Sequence, residues 1–203
     1  MRICSFLPSG TEILFALGLD DSVVAVTFEC DYPAEARTKD VVVYTKLPPG
    51  LPEREIDRQV NEFSSQRRSL YRVDAEKLRR LKPELIVTQD LCHVCAASPD
   101  DLAAVLGTLS PCPQILALTP RTIAGVWNDI IAVGKVTGRT SGALTLVANL
   151  EEKIAQVAAM MDSYSSLLHG HGSGTAQRGR PAAEACASTK FRRTACMATR
   201  SAA

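Results

Sequence analysis

The side chains best suited to chemistry fall in three short stretches: Leu7-Pro8-Ser9-Gly10-Thr11-Glu12, Phe28-Glu29-Cys30-Asp31-Tyr32-Pro33 and Gln89-Asp90-Leu91-Cys92-His93-Val94-Cys95. In the third, Cys92 and Cys95 form a Cys-X-X-Cys pair, which supplies two thiolates to one metal, with His93 beside them. A structural zinc usually takes four ligands, and Cys30 or the nearby carboxylates are the candidates to complete such a set. The alternative is that both cysteines simply shape a turn. Glu29, Asp31 and Asp90 have the chemistry to hold a cation or to accept hydrogen bonds from amide groups of a large ligand. Asp is equally at home capping loop N–H groups. Tyr32, followed by Pro33, offers a flat apolar platform or a partly buried structural ring. Ser9, Gly10 and Thr11 at a helix start would present N–H groups to an anionic or carbonyl oxygen.

Catalysis finds little support. No serine sits in a nucleophile elbow, the first strand is not followed by a G-x-G-x-x-G phosphate fingerprint, and His93 is the only histidine in the three stretches. A thioredoxin-like role for Cys92 and Cys95 fits poorly, because the next helix cap is Ser98. His169 and His171 flank a glycine in a stretch with nothing to hold them as ligands. The chain reads as a non-enzyme. Its net charge of +1 and 22% charged residues give no prior for nucleic acid or an anionic membrane.

The elements that must position these loops are legible from the apolar pattern. Arg2 to Leu7 is a short strand; Ser9 and Glu12 have capping-box spacing for a helix through Leu17, which Gly18 ends. Val23–Val26 and Val41–Val43 are further strands, separated from a helix over Glu55–Phe63 by Pro48-Pro49-Gly50-Leu51-Pro52. Asp74 caps a helix through Leu81 that Lys82-Pro83 stops, and Leu85–Thr88 is a strand. Ser98-Pro99-Asp100-Asp101 opens another helix. Ile115–Leu118 is a strand, and Thr122–Val136 a helix. This alternation predicts an α/β fold with a parallel sheet covered on both faces. All three loops then open on one edge, where such sheets bind ligands. Cys112 precedes a strand and belongs at the opposite edge, and Cys4 belongs to the core.

From Thr140 onward, Leu144, Val147, Leu150, Ile154, Val157 and Met161 recur at helical spacing, predicting one long amphipathic helix. Beyond residue 163 the pattern collapses. The segment 170–203 carries only Phe191 and Met197 as large apolar residues, with six basic side chains against Glu184 alone, and is expected to be disordered. The expected organisation is an α/β lobe over 1–120, a helix and long connecting helix over 121–163, and a low-complexity tail over 164–203.

The three loops resemble those of the class III solute-binding proteins, the iron-siderophore and vitamin B12 binding components of ABC importers. The likeness runs through Gly18-Leu19, Ser69-Leu70-Tyr71 and Leu81-Lys82-Pro83-Glu84-Leu85-Ile86 over roughly residues 1–162, and the loops look most like the cobalamin-binding branch. The resemblance implies a Rossmann-like lobe followed by a long connecting helix, with the family's second lobe absent here. It implies a corrinoid or iron-complex ligand on Pro8, Ser9, Gly10, Thr11, Glu29, Cys30, Asp31, Tyr32, Asp90, Leu91 and Cys92. It also implies an ABC permease as partner, with Glu76 aligned with an exposed glutamate that docks the lobe onto the transporter. An ordinary solvated helix glutamate is the other account of Glu76. The rival function is a small metal-binding or thiol-redox protein using Cys92, Cys95 and Cys30, with His93. A third is a truncated product whose helix stripe self-associates. Without a secretory signal at the N-terminus or a run of about 18 apolar residues, the chain as written is expected in a reducing cytosol, its seven cysteines free. The family it resembles usually works in the periplasm or at the cell surface.

Overall fold

A computed structural model describes residues 1–66, 68–89 and 105–168 of the chain. Six strands form one sheet: β1 (Ile3–Ser5), β2 (Val23–Thr27), β3 (Asp40–Thr45), β4 (Tyr71–Val73), β5 (Leu85–Gln89) and β6 (Gln114–Leu118). The order across the sheet is β4-β3-β2-β1-β5-β6. Every neighbouring pair is parallel except β3–β4, which is antiparallel. The helices are α1 (Pro8–Ala16), α2 (Glu53–Ser65), α3 (Ala75–Leu81), α4 (Ile123–Val136) and α5 (Thr140–Leu168).

The inner strands β2 and β5 are apolar over most of their length because both faces of the sheet are covered. Successive residues of β5 show the alternation: Leu85 and Val87 join one cluster and Ile86 the other. The first cluster packs Ile3, Leu85 and Val87 against Leu14 of α1, Ile130 and Val133 of α4, and Ala143 and Val147 of α5. The second packs Cys4, Ala25, Val43 and Ile86 against Leu78 of α3 and Leu106 and Leu109.

Local signals set three helix ends. Gly18, at φ 66°, closes α1: its N–H donates to the Phe15 carbonyl at 2.9 Å, and the Leu19 N–H to Leu14 at 3.0 Å. That pair of hydrogen bonds is a Schellman ending, which glycine permits without a Cβ penalty. Asp74 caps α3 by accepting from the Lys77 N–H at 2.9 Å. Thr122 does the same for α4 through the Gly125 N–H at 3.0 Å.

Three expectations need correction. The capping box at Ser9 and Glu12 is not formed: α1 starts two residues earlier, with Leu7 as N-cap and Pro8 in the first turn, and no side chain caps it. Proline suits that place because its missing N–H would be unpaired there anyway. The sheet is not wholly parallel, since β4 adds an antiparallel edge. The long helix does not fade at Met161 but runs on to Leu168. The expected helix start at Ser98 and the expected disordered tail lie outside the described residues.

The first turns of α5 pack on α4 at an unusually close approach. A Cβ built on Gly134 would collide with the Ala143 Cβ and lie 3.1 Å from the Arg139 carbonyl oxygen. Past that contact, all residues from Glu151 to Tyr164 are exposed. Val157, Met160, Met161 and Tyr164 are each more than half exposed.

Candidate functional site

β1 lies between β2 and β5, so the chain leaves β1 towards β2 on one side while β5 continues to β6 on the other. A sheet whose order reverses in this way opens a crevice at its C-terminal edge, between the two diverging strands. The loops after β1 and β2 both stand on this edge.

The β1 side is tightly fixed. The Phe6 N–H donates to the Val87 carbonyl at 2.8 Å, prolonging the β1–β5 pairing into the loop, and the Ser5 hydroxyl donates to the Leu7 carbonyl at 3.0 Å. Pro8 is half-buried, Ser9 is exposed and Gly10 is buried. Gly10 has no room for a side chain: its Cβ would lie 3.0 Å from both Leu7 Cδ2 and Val87 Cγ1 and 3.1 Å from Ser5 Oγ. α1 therefore sits hard against the β1/β5 crevice. The N–H groups of Ser9 and Gly10 belong to the first turn, where a helix offers them no internal acceptor.

Thr11 and Cys30 join that turn to the β2 loop. Both are buried, and Thr11 Oγ1 lies 3.0 Å from Cys30 Sγ. The Thr11 hydroxyl also reaches the Leu7 carbonyl at 3.3 Å. Burial pushes the Cys30 thiol up from its ordinary pKa, and the Thr11 hydrogen bond works in the opposite direction. Their side chains hold each other beneath the rim, unlike those of Ser9, Glu29, Asp31 and Tyr32, which are exposed on it. Cys4 is buried in the sheet, its thiol pushed up to about 12 chiefly by burial.

On the outer side of the β2 loop, the Tyr71 hydroxyl donates to Glu29 Oε1 at 3.1 Å. The Phe28 and Tyr71 ring centroids lie 6.1 Å apart with planes tilted by 40°, within the range of favourable aromatic pairs. Arg37 clamps the loop twice, donating from Nε to the Asp31 carbonyl at 3.1 Å and pairing with the Asp31 carboxylate at 3.8 Å. Tyr32 stands 67% exposed, against 42% for Phe28. Sequence reasoning gave no role to Phe28, Arg37 or Tyr71. Phe28 and the Ser69-Leu70-Tyr71 stretch were in view, but nothing local says that β4 would carry Tyr71 to Glu29.

Asp90, Leu91, Cys92, His93 and Cys95 lie outside the described residues. Among the described residues no three His, Cys, Asp or Glu side chains gather as a metal site. Cys4 and Cys30 are free thiols, but Cys112 is disulfide-bonded, which corrects the expectation that every thiol stays free. Glu76 is exposed on α3. That helix ends far from the rim: Arg2 Nε at the start of β1 donates to the Leu81 and Lys82 carbonyls at 3.1 and 2.8 Å. Among the described residues no helix is long and apolar enough to cross a membrane.

Solved structures with this architecture include periplasmic heme- and vitamin B12-binding proteins. The heme-binding protein HutB of Vibrio cholerae superposes with a TM-score of 0.56 at 23% identity, over 78% of this chain and 49% of its own. A heme-binding protein of Pseudomonas aeruginosa gives a TM-score of 0.61 at 14% identity, over 81% and 48%. The vitamin B12 binding protein BtuF of Vibrio cholerae gives 0.54 at 22% identity, over 80% and 51%. The chain has the fold of a single lobe of a class III solute-binding protein. In sequence it is 26% identical over 159 residues to the uncharacterized ABC transporter substrate-binding lipoprotein YvrC of Bacillus subtilis strain 168, covering 77% of this chain and 40% of YvrC. The chain thus spans less than half the length of that relative and about half the length of those solved structures. No family model matches the chain.

Proposed function

We propose that this lobe binds a corrinoid such as vitamin B12, or an iron complex, on the rim of its sheet, as the receptor half of an ABC-type importer. The observation that carries this reading is the convergence of the β1 and β2 loops at the sheet's switch point, in a lobe whose solved counterparts include heme-, iron- and B12-binding proteins. Ser9 and Gly10 supply first-turn N–H groups, Glu29 and Asp31 supply acceptors, and Tyr32 supplies a flat apolar surface. Thr11 and Cys30 set the spacing between the two loops from below. Pro8 stiffens the helix start, and Asp90, Leu91 and Cys92, which follow β5 in the sequence, are proposed as further ligand contacts. The proposal assigns no catalytic step. A permease is the proposed partner, with Glu76 as a docking residue on the surface remote from the ligand. The relatives named above are periplasmic proteins or a lipoprotein, so this reading places the lobe outside the cytoplasmic membrane.

A pocket that buries most of a large ligand needs walls on two sides, so a single lobe should bind weakly. The test is a titration with hydroxocobalamin, followed by absorbance and binding heat, with hemin in parallel. Saturable binding that weakens in Tyr32→Ala supports the reading. Saturable binding of neither compound overturns it. The rival reading, a metal or thiol-redox protein using Cys92, Cys95 and Cys30, predicts instead a stoichiometric metal that Cys92→Ser removes.

A further inference from the structure

At the edge of the sheet opposite the rim, the turns that lead into β5 and β6 enclose a small cavity of about 170 Å³. One wall is the end of α3 and the turn after it, with Arg79, Lys82 and Pro83. The other is the turn before β6, with Thr108, Leu109 and Ser110. The two walls are tied together. The Gln114 N–H donates to the Glu84 carbonyl at 2.8 Å, and Arg79 Nε donates to Thr108 Oγ1 at 3.3 Å. Pro83 and Leu109 are buried, whereas Arg79, Lys82 and Ser110 are exposed.

The cations of this cavity are left over once the local structure has been served. Thr108 Oγ1 donates to the Val105 carbonyl at 2.7 Å and accepts from Arg79. The carbonyls at the end of α3 take their donor from elsewhere: Arg2 Nε reaches Leu81 and Lys82 at 3.1 and 2.8 Å. Glu84, the nearest acid along the chain, is held by the Met1 amino group at 3.9 Å and the Arg2 N–H at 2.7 Å. Among the described residues, the Lys82 ammonium, the terminal nitrogens of Arg79 and the Ser110 hydroxyl therefore have no hydrogen bond or ion pair, and no carboxylate lines the cavity. Lys82 is also an unusual residue for its backbone. It ends α3 at φ 47°, a left-handed conformation that glycine adopts at lower cost, as Gly18 does at the end of α1. The local fold asks for no side chain at position 82, and the one present brings a charge to the cavity.

We propose that this cavity binds a single phosphate-class oxyanion, held by the Arg79 guanidinium and the Lys82 ammonium with the Ser110 hydroxyl as a further donor. A guanidinium forks onto two oxygens of one anion, and a lysine adds a point charge. Two cations and a hydroxyl drawn from two walls suit an anion with more than one charge and more than two oxygens better than a lone carboxylate. Size narrows the choice further. Pockets for drug-sized ligands run to roughly 300–1,000 Å³, so this one admits a phosphate group and excludes a corrinoid or a heme. The group is either free phosphate or the phosphate of a lipid headgroup presented at the exposed mouth. The site stands apart from the rim and does not depend on what binds there.

The test uses the full chain with inorganic phosphate as the probe, titrated by calorimetry against chloride at equal ionic strength, because screening alone acts on any exposed cation. Saturable binding is expected, with a melting temperature that rises with phosphate concentration. Lys82→Gly and Arg79→Gln should each weaken binding roughly tenfold, a loss of about 1.4 kcal/mol. Arg54→Gln, which removes an exposed cation on α2, should leave it unchanged. Lys82→Gly puts glycine where the backbone favours it, so this variant should fold like the parent and its lost binding is not unfolding. Vesicles of phosphatidylcholine with and without phosphatidic acid then identify the source. Lys82-dependent vesicle binding that free phosphate competes away supports the site as a headgroup site, and phosphate binding without vesicle binding supports it as a site for the free anion. Equal behaviour in phosphate and chloride, without Lys82-dependent vesicle binding, overturns the proposal. So does phosphate binding that survives in Lys82→Gly, or that falls as much in Arg54→Gln. A melting temperature lowered by Lys82→Gly to the same extent with and without phosphate would mark the lysine as a partner of the helix dipole alone and overturn it too.

Discussion

Replacing Asp129 by Asn tests the energetics of the edge beside the rim. Asp129 lies on α4 and faces back to the end of β6, where the Thr119 backbone N–H favours its carboxylate. Its Oδ2 is removed from solvent and has no hydrogen-bond partner among the described residues. Burial outweighs the Thr119 bond and pushes the carboxyl from 3.8 up to about 6. A carboxyl raised in the folded state holds its proton more tightly there than in the unfolded chain. Its contribution to stability is complete below the unfolded pKa and is lost as pH rises through the folded one. A shift of roughly two units corresponds to about 3 kcal/mol if wholly retained. The side chain is only half-buried, and solvent screening reduces the expected figure to about 1 kcal/mol.

The asparagine side chain in the Asp129→Asn variant cannot titrate, and it keeps an oxygen to accept from Thr119. Urea unfolding of both proteins from about pH 4 to about pH 8 isolates the effect, because the other titrating groups cancel in the difference. Relative to its value near pH 4, the stability of Asp129→Asn minus that of the parent should grow by about 1 kcal/mol, with most of the change complete soon after about pH 6. The amide's own hydrogen-bonding cost shifts the whole difference curve without changing its slope. A difference that stays flat across the range, or that falls with pH, would refute the buried-carboxylate account.

Gly10→Ala should destabilise the lobe by roughly 1–3 kcal/mol, although alanine is the better helix former by about 1 kcal/mol. The reason is that its Cβ meets Leu7, Val87 and Ser5 at 3.0–3.1 Å. Thermal melting checks this, and a stabilised variant would show that α1 is not pressed into the crevice. Gly134→Ala should be at least as damaging, because the added methyl collides with Ala143 across the α4–α5 contact. Pairing it with Ala143→Gly should restore much of the loss, and a double-mutant cycle without coupling would contradict the contact. Val157→Lys/Met161→Lys should convert a self-associating chain into a monomer by sedimentation, since both residues stand on the exposed outer half of α5. A parent that is already monomeric would remove the stripe as an association surface.

What could be read from the sequence was what depends on neighbours along the chain. Gly18, Asp74 and Thr122 mark helix boundaries by backbone chemistry that acts within a few residues, and all three do so in the fold. Ser9 misled because Ser-X-X-Glu spacing has to yield to the pairing of Phe6 with Val87, which draws the strand end and Pro8 into place first. β4 was invisible for a related reason. Three residues, Tyr71-Arg72-Val73, carry no period of their own and become a strand only by pairing with β3 from beyond α2. Cys30 has the type and spacing of a ligand-facing residue, but α1 packs over it and turns its thiol to Thr11. Burial of a loop side chain is a property of the whole lobe.

The same distinction explains α2 and α5. Their periodicity was plain in the sequence, and in a compact lobe each apolar stripe would be expected to meet a core. In the fold the two stripes fare differently: Val60 and Phe63 of α2 are half-buried and Ile56 is 39% exposed, whereas Val157 and Met161 on the outer half of α5 are 56% and 62% exposed. A helix with an exposed apolar stripe lowers its free energy by covering it. Lysine substitutions on the outer half of α5 should therefore change sedimentation and leave melting nearly unchanged, and a loss of stability without a change in sedimentation would refute that account.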